Sequence, residues 1–329
     1  MITFTRFFRA GLTTLVIIFL SGCDAVTHVK TLKLAHGLDV AHPVHQGLVF
    51  MAKEVERISG GQMVVDIYPS EQLGTERQLL ELLQIGSLDI TKVSASAVEN
   101  FVPSMKVLGL PYIFRDEDHM WKILNGEIGK ELLLDGEKYW LHGLCFYDAG
   151  SRSFYTKEKP IKSPEDLKGL KIRVMNSQTA MQMIKDMGGA PTPISFGELY
   201  TALQQGVVDG AENNAPSFYT SHHYEVCKYY TIDQHTSVPD VLFIGTNSWN
   251  KLTDQQKAWL DEAVANSVPE QRRLWKEADQ HALDEVKKAG VEIIYPEKEP
   301  FAEKVSSIFE NYRDEPKIYD LIQRIQAVK

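Results

Sequence analysis

Two arginines in this chain have the type and setting to do recognition chemistry. Lys171-Ile172-Arg173-Val174 reads as a short strand, and its alternation sets Arg173 on the face opposite Ile172 and Val174. Arg152 opens a second strand-like run, Arg152 to Thr156, just after a turn at Gly150. A guanidinium presents planar donors that meet both oxygens of a carboxylate at once. Two of them on the wall of a cleft make an anion site. On an outer surface the same residues make ordinary ion pairs, and spacing alone leaves both readings open.

His42-Pro-Val-His45 and the pair His222-His223 are the natural places to look for a metal. Neither brings carboxylates or thiols at ligand spacing, so they read as a helix start and a polar turn, and no metal is expected. The chain has no glycine-rich dinucleotide or phosphate loop, no Gly-x-Ser-x-Gly, no His-Glu-x-x-His and no Cys-x-x-Cys. The expectation is a protein with no catalytic residues and no cofactor, not an enzyme.

The elements that must position these groups follow an α/β pattern from Lys30 onward. Leu32 to Ala35 starts a strand. His42 to Ser59 places Leu48, Met51, Ala52, Val55 and Ile58 on one helical face and stops at Gly60-Gly61. Met63 to Tyr68 is the next strand, and a helix with Leu79, Leu80, Leu82 and Leu83 leads into the strand Ile90 to Val93. That last helix ends in Leu83-Gln84-Ile85-Gly86-Ser87-Leu88-Asp89, and Leu203-Gln204-Gln205-Gly206-Val207-Val208-Asp209 repeats the pattern Leu-Gln-x-Gly-x-x-Asp. Upstream of the second copy, a helix with Met183, Ile184 and Met187 stops at Gly188-Gly189, as the first stops at Gly60-Gly61. Glycine supplies the left-handed C-cap in each case, and two matches in the same order mark two equivalent lobes. Leu252 to Lys288 reads as a long helix bracing both lobes, broken or bent at Pro269. Phe301 to Val328 is helical again, with Phe301, Val305, Ile308 and Phe309 at core spacing.

The first 22 residues read as an export leader: Arg6 and Arg9, an apolar run from Gly11 to Leu20, then Ser21 and Gly22. Spanning a bilayer takes about 20 apolar residues, roughly twice this run. Leu20-Ser21-Gly22-Cys23 resembles a bacterial lipobox, which implies lipidation at Cys23. Asp24 resembles the signal that keeps lipoproteins at the inner membrane of enteric bacteria. The chain carries a net charge of −9, and the leader removes only positive charge, so a nucleic-acid partner is not expected. Cys145 and Cys227 are far apart in sequence, and the sequence does not decide between a disulfide and two buried thiols.

The motifs Tyr68-Pro-Ser-Glu-Gln-Leu-Gly74, Gly86-Ser-Leu-Asp89, Leu110-Pro-Tyr-Ile-Phe114, Leu167-Lys-Gly-Leu-Lys-Ile-Arg-Val174, Pro191-Thr-Pro193 and Asp209-Gly-Ala-Glu-Asn213 occur in one order. In this the sequence resembles the DctP-type solute receptors of tripartite ATP-independent periplasmic (TRAP) transporters. The resemblance implies a two-lobed periplasmic solute-binding fold of the α/β class, with the ligand cleft between lobes, a long bracing helix and hinge closure. With the leader and the repeat, the expected organisation is a leader over residues 1–22, a first lobe over 23–150, a second over 151–250, and bracing and C-terminal helices over 251–329. Its implied partners are a small carboxylate ligand and TRAP membrane permease subunits, with the membrane met only through the lipid anchor.

Carried onto this sequence, the family's carboxylate-gripping arginine is Arg173, its second ligand arginine is Arg152, and its ligand-facing asparagine is Asn213. A narrower similarity to hexuronate-binding members rests on His42-Pro-Val-His45, Thr91-Lys92-Val-Ser-Ala-Ser96, Gly210-Ala-Glu-Asn-Asn214, and His235 before Val238-Pro-Asp240. It implies that His42, Glu76, Lys92, His235 and Asn214 join the ligand set for D-glucuronate or D-galacturonate. A C4-dicarboxylate or sialic acid receptor, and an exported lipoprotein enzyme acting on uronate polymers, are the competing readings.

Overall fold

The computed structural model describes residues 29–329; the leader and Cys23 lie outside the described residues. The strands are β1 Lys30–Ala35, β2 Met63–Tyr68, β3 Ile90–Ser94, β4 Leu141–Tyr147, β5 Arg152–Thr156, β6 Lys171–Val174, β7 Ala190–Pro193, β8 Gly210–Asn213, β9 Tyr229–Thr236, β10 Asp240–Gly245 and β11 Glu292–Ile294. They form a five-stranded sheet of order β2-β1-β3-β10-β4 and a six-stranded sheet of order β11-β9-β5-β8-β6-β7. Each is the centre of a lobe, covered by helices on both faces.

The sequence repeat is a structural repeat. β1 pairs in parallel with β2 and β3, and β6 pairs in parallel with β7 and β8, so one β-α-β-α-β unit is used twice. The repeated aspartate does the same work in both copies. Asp89 accepts the Lys33 N–H at 2.9 Å and Asp209 accepts the Lys171 N–H at 2.7 Å, tying the turn before the third strand to the first. Gly86 and Gly206 sit at φ of +74° and +72°, the left-handed conformation that glycine adopts without steric cost.

The lobes are joined by a continuous antiparallel ribbon. β4 passes into β5 through Asp148–Ser151, β9 passes into β10 through 237–239, β4 pairs with β10, and β5 pairs with β9. Asp240–Gly245 therefore belongs to the first sheet, and the second lobe, expected to run to residue 250, hands the chain back before Asp240. Along β10 the side chains alternate between the two cores of that lobe, Val241 and Phe243 on one face and Leu242 and Ile244 on the other.

The helix Asp254–Lys288 is continuous over its 35 residues, about 52 Å along its path, so of the break or bend expected at Pro269 the break does not occur. Packing on both sides of the proline outweighs one lost backbone bond. Leu260, Ala263 and Val264 bury in the first lobe, while Ala282 and Val286 bury in the second. Midway, the wholly buried Gln271 grips the hinge: its Oε1 accepts the Asp148 N–H and its Nε2 donates to the Asp148 carbonyl, both at 2.8 Å. After β11 the chain packs Phe301 and Val305 into the second lobe, then crosses back to bury Ile308, Leu321 and Ile325 in the first. Cys145 and Cys227 are free, buried thiols in different lobes. Among the described residues no helix is long and apolar enough to cross a membrane.

The Gln271 contact generates a measurable expectation. A buried backbone group left without a partner costs about 1–3 kcal/mol, so Gln271→Leu should lower the free energy of unfolding by about 2–4 kcal/mol, read from the denaturant midpoint.

Candidate functional site

In an open parallel sheet ligands gather at the carboxyl ends of the strands. Here those ends of the two sheets face each other across the hinge. Arg173 is the penultimate residue of β6 and Asn213 the last of β8. Arg152 opens β5 and Asp240 opens β10, both antiparallel strands that begin beside the ends of β8 and β3. Lys92 lies late in β3, and Glu76 opens the helix that follows β2. The result is a chamber between the lobes, lined by Arg173, Arg152, Asn213, Lys92, Glu76, His42 and Asn214 among others, widening past Arg173 and Phe196 into a mouth of about 280 Å³.

Arg173 is 2% exposed, and Ile172 and Val174 on either side of it enter a core of the second lobe. Its Nε donates to the Ile194 carbonyl at 2.8 Å, and the ring of Phe196 lies 5.9 Å from the guanidinium. Its Nη1 is buried with no hydrogen-bond partner in the protein. No carboxylate pairs with it, and burial lowers its pKa below the ordinary value. A buried guanidinium nitrogen without an acceptor is costly, and that cost is relieved when an anion arrives.

Arg152 is the opposite case. Its Nε and Nη2 bind the Glu212 carboxylate, Nη2 also meets the Glu212 carbonyl at 2.8 Å, and Nη1 donates to Asn213 Oδ1 at 2.7 Å. Its charge is already matched, leaving one Nη1 hydrogen for anything in the chamber. Behind it, His235 Nδ1 lies 2.8 Å from Asp233 and Nε2 lies 3.5 Å from Glu212. Burial opposes charge on both His235 and Glu212, yet their partners win. Asp233 and Glu212 hold His235 up to about 9, and Arg152 and His235 hold Glu212 down to about 2. This geometry does not bring His235 to the chamber surface. The ring is fully buried, both its nitrogens face carboxylates, and it stands behind Arg152, outside the chamber wall.

On the first lobe, Lys92 is 2% exposed and its Nζ lies 3.1 Å from Asp240 and 3.7 Å from Glu76. Glu76 in turn accepts the Ser94 N–H at 2.9 Å, and burial raises its pKa against the pull of Lys92. His42 caps its helix: Nδ1 accepts the Val44 N–H, which places the ring proton on Nε2 and directs it to Ser217 Oγ at 3.1 Å. Burial, reinforced by Lys92, keeps this ring neutral. Asn214 lines the chamber with its amide engaged, Oδ1 accepting from Ser217 N and Nδ2 donating to the Ala149 carbonyl of the hinge at 3.1 Å. Asn213 keeps its amide donors free, since only its oxygen is used by Arg152 and by the Asn214 N–H.

Sequence reasoning did not single out Glu212, Ser217 or Asp240. Glu212 and Asp240 sit inside quoted motifs, but only the pairing of distant strands sets them against Arg152 and Lys92. Several bonds span the lobes: His42 to Ser217, the Gly197 N–H to Glu71 at 3.2 Å, and the Thr179 N–H to Glu99 at 3.2 Å. The lobes therefore touch across the cleft. Among the described residues no three metal-ligating side chains converge; His222 is exposed, and His223 is buried against the Tyr155 hydroxyl at 3.0 Å.

A two-lobed fold hinged on a ribbon, with an unmatched buried cation in its cleft, defines a solute receptor. Residues 34–315 match the bacterial extracellular solute-binding protein family 7, the DctP family, and the chain belongs to it. It is a periplasmic receptor of the TRAP type. A TRAP periplasmic solute-binding protein of Xanthobacter autotrophicus Py2, with bound β-D-galacturonate, is 36% identical and superposes with a TM-score of 0.88 over 91% of this chain and 100% of that one. One from Pseudomonas putida F1, with bound D-glucuronate, is 37% identical with a TM-score of 0.87 over 91% and 97%. The sialic acid-binding periplasmic protein SiaP of Vibrio cholerae is 31% identical over 91% of this chain and 93% of its own.

The charge network behind Arg152 predicts a pH dependence. The folded pKa of His235, about 9, lies above its ordinary 6.5, so its contribution to stability is full below pH 6.5 and is lost as pH rises through 9. His235→Gln should flatten the fall in melting temperature across that window.

Proposed function

We propose that this protein captures a hexuronate, D-glucuronate or D-galacturonate, in the periplasm and delivers it to a TRAP permease without altering it. The observation that carries the reading is the buried Arg173 Nη1, which no protein acceptor reaches. In this reading the ligand carboxylate binds Arg173, helped by the spare Nη1 hydrogen of Arg152 and the free amide of Asn213. Lys92, Glu76 and Asp240 supply mixed donors and acceptors for hydroxyls, each of which gives and takes a hydrogen bond and is costly to bury unpaired. His42 and Asn214 act at one remove, by holding Ser217 and the hinge carbonyl of Ala149. The hexuronates held by the Xanthobacter and Pseudomonas neighbours support the ligand class. Lipidation at Cys23 would keep the receptor beside its permease. Cys23→Ser should then shift it from the membrane to the soluble fraction of cells.

The direct test is the melting temperature of a form beginning after Cys23, taken against uronates, C4-dicarboxylates, sialic acid and neutral sugars. A ligand selective for the native state stabilises it by about 2.7 kcal/mol at a hundredfold excess over its Kd. Shifts with glucuronate or galacturonate and none with glucose are expected. A shift only with sialic acid or dicarboxylates would replace the ligand, and release of sugar from a uronate polymer would overturn the receptor reading. Arg173→Ala should weaken hexuronate binding by about thirty- to several-thousand-fold, the equivalent of roughly 2–5 kcal/mol for removing one partner of a buried charge pair. Arg173→Lys should recover only part, since a single ammonium cannot meet both oxygens.

A further inference from the structure

The charges lining the chamber are almost all matched within the protein. Arg152 is bound by Glu212, and the positive His235 behind it is bound by Asp233. Lys92, the basic group presented by the first lobe, has two carboxylates within reach, Asp240 at 3.1 Å and Glu76 at 3.7 Å. Arg173 alone has no carboxylate partner. The second lobe thus offers one positive charge with no acid hydrogen-bonded to it, while the first lobe offers a lysine outnumbered by acids.

We propose that Glu76 and Asp240 make the cleft a monoanion filter, admitting a sugar acid with one carboxylate and rejecting the diacid of the same carbon skeleton. The proposal rests on the hexuronate reading and adds to it the discrimination that the same site performs. A hexuronate and the corresponding hexarate share their configuration at C2 to C5. The hexuronate closes to a ring and carries a hydroxyl at C1, while the hexarate is an open chain with a second carboxylate there, so the change of the Kd ratio between wild type and variants, each meeting the same two ligands, isolates the charge. Arg173 and the Lys92, Glu76 and Asp240 group line the same chamber, so in this proposal a diacid with its first carboxylate on Arg173 turns its second toward the acids around Lys92. To bind there it must displace one of them from the ammonium or lie beside it in a buried setting, where like charges repel strongly. Hydroxyls in the same place donate to Glu76 and Asp240 and meet no such penalty. Specificity here comes from a built-in repulsion as much as from attraction. A receptor for diacids would need Lys92, or another cation, left unmatched.

The test compares calorimetric binding of D-galacturonate and galactarate, and of D-glucuronate and glucarate, to the mature wild-type protein and to Glu76→Gln and Asp240→Asn. Glu76→Gln is isosteric and leaves Asp240 to hold Lys92. Asp240→Asn leaves Glu76. Either change frees part of the lysine's charge, and unliganded melting curves confirm that the variants fold. The readout is the ratio of diacid to monoacid Kd, which a general loss of packing would not shift in one direction. Wild type should favour the monoacid at least a hundredfold, and each variant should narrow that preference at least tenfold. Equal binding of monoacid and diacid by wild type, or an unchanged ratio in both folded variants, would overturn the filter and leave the hexuronate receptor standing. Binding of neither acid by wild type would overturn the hexuronate reading, and the filter with it.

Discussion

Arg173 is buried on a strand end with its Nη1 unpaired, in a cleft where every neighbouring cation already has its acid. Holding a guanidinium in that condition costs the folded protein stability, and the surrounding architecture makes it tolerable. Ile172 and Val174 anchor the strand in the core, the Ile194 carbonyl takes one donor, and the face of Phe196 covers part of the planar group. What is left over is one directed binding capacity for an anion. The second arginine contributes differently: fixed by Glu212, and through it by His235 and Asp233, it is a rigid wall whose charge is largely spent. Pre-organisation of this kind lowers the conformational cost of binding, because the wall does not have to be assembled when the ligand arrives.

The hinge serves the same end. The two crossing strands are hydrogen-bonded to each other in both sheets, so the lobes are joined by a ribbon that resists shear but can flex where pairing is interrupted, at 148–151 and 237–239. The long helix touches both lobes and holds the Asp148 peptide through Gln271, fixing one side of the hinge. Contacts from His42, Glu71 and Glu99 to the second lobe are single hydrogen bonds, two of them to backbone amides. Each is modest by itself, with a net worth of about 1 kcal/mol. A solute that met both lobes would add to them, which is how a small ligand shifts a hinge equilibrium.

Much of this was legible in the sequence. The repeated Leu-Gln-x-Gly-x-x-Asp, the glycine stops and the strands Met63–Tyr68, Arg152–Thr156 and Lys171–Val174 are local signals, set by periodicity and by backbone conformations that only certain residues adopt readily. The side of the strand that Arg173 faces follows from the same alternation. The long helix was visible too, and packing on both lobes carries it through Pro269 without a break. The family motifs contain many of the residues that line the chamber.

What the sequence could not decide was which groups would spend their hydrogen bonds on one another. The resemblance implies His235 and Asn214 as ligand contacts; in the fold His235 turns to Asp233 on its own strand and to Glu212 on β8, while Asn214 lines the chamber with its amide engaged by Ser217 in the helix it caps and by the Ala149 carbonyl of the hinge. Asp240 gained its place beside Lys92 only because β10 returns to the first sheet, a pairing between segments about 150 residues apart that also moved the lobe boundary. Propensity and spacing act over a few residues and so determined the elements and the face each polar side chain takes. Charge matching acts through space, so only the tertiary structure decided that Arg173, and no other cation lining the chamber, stands without an acid partner.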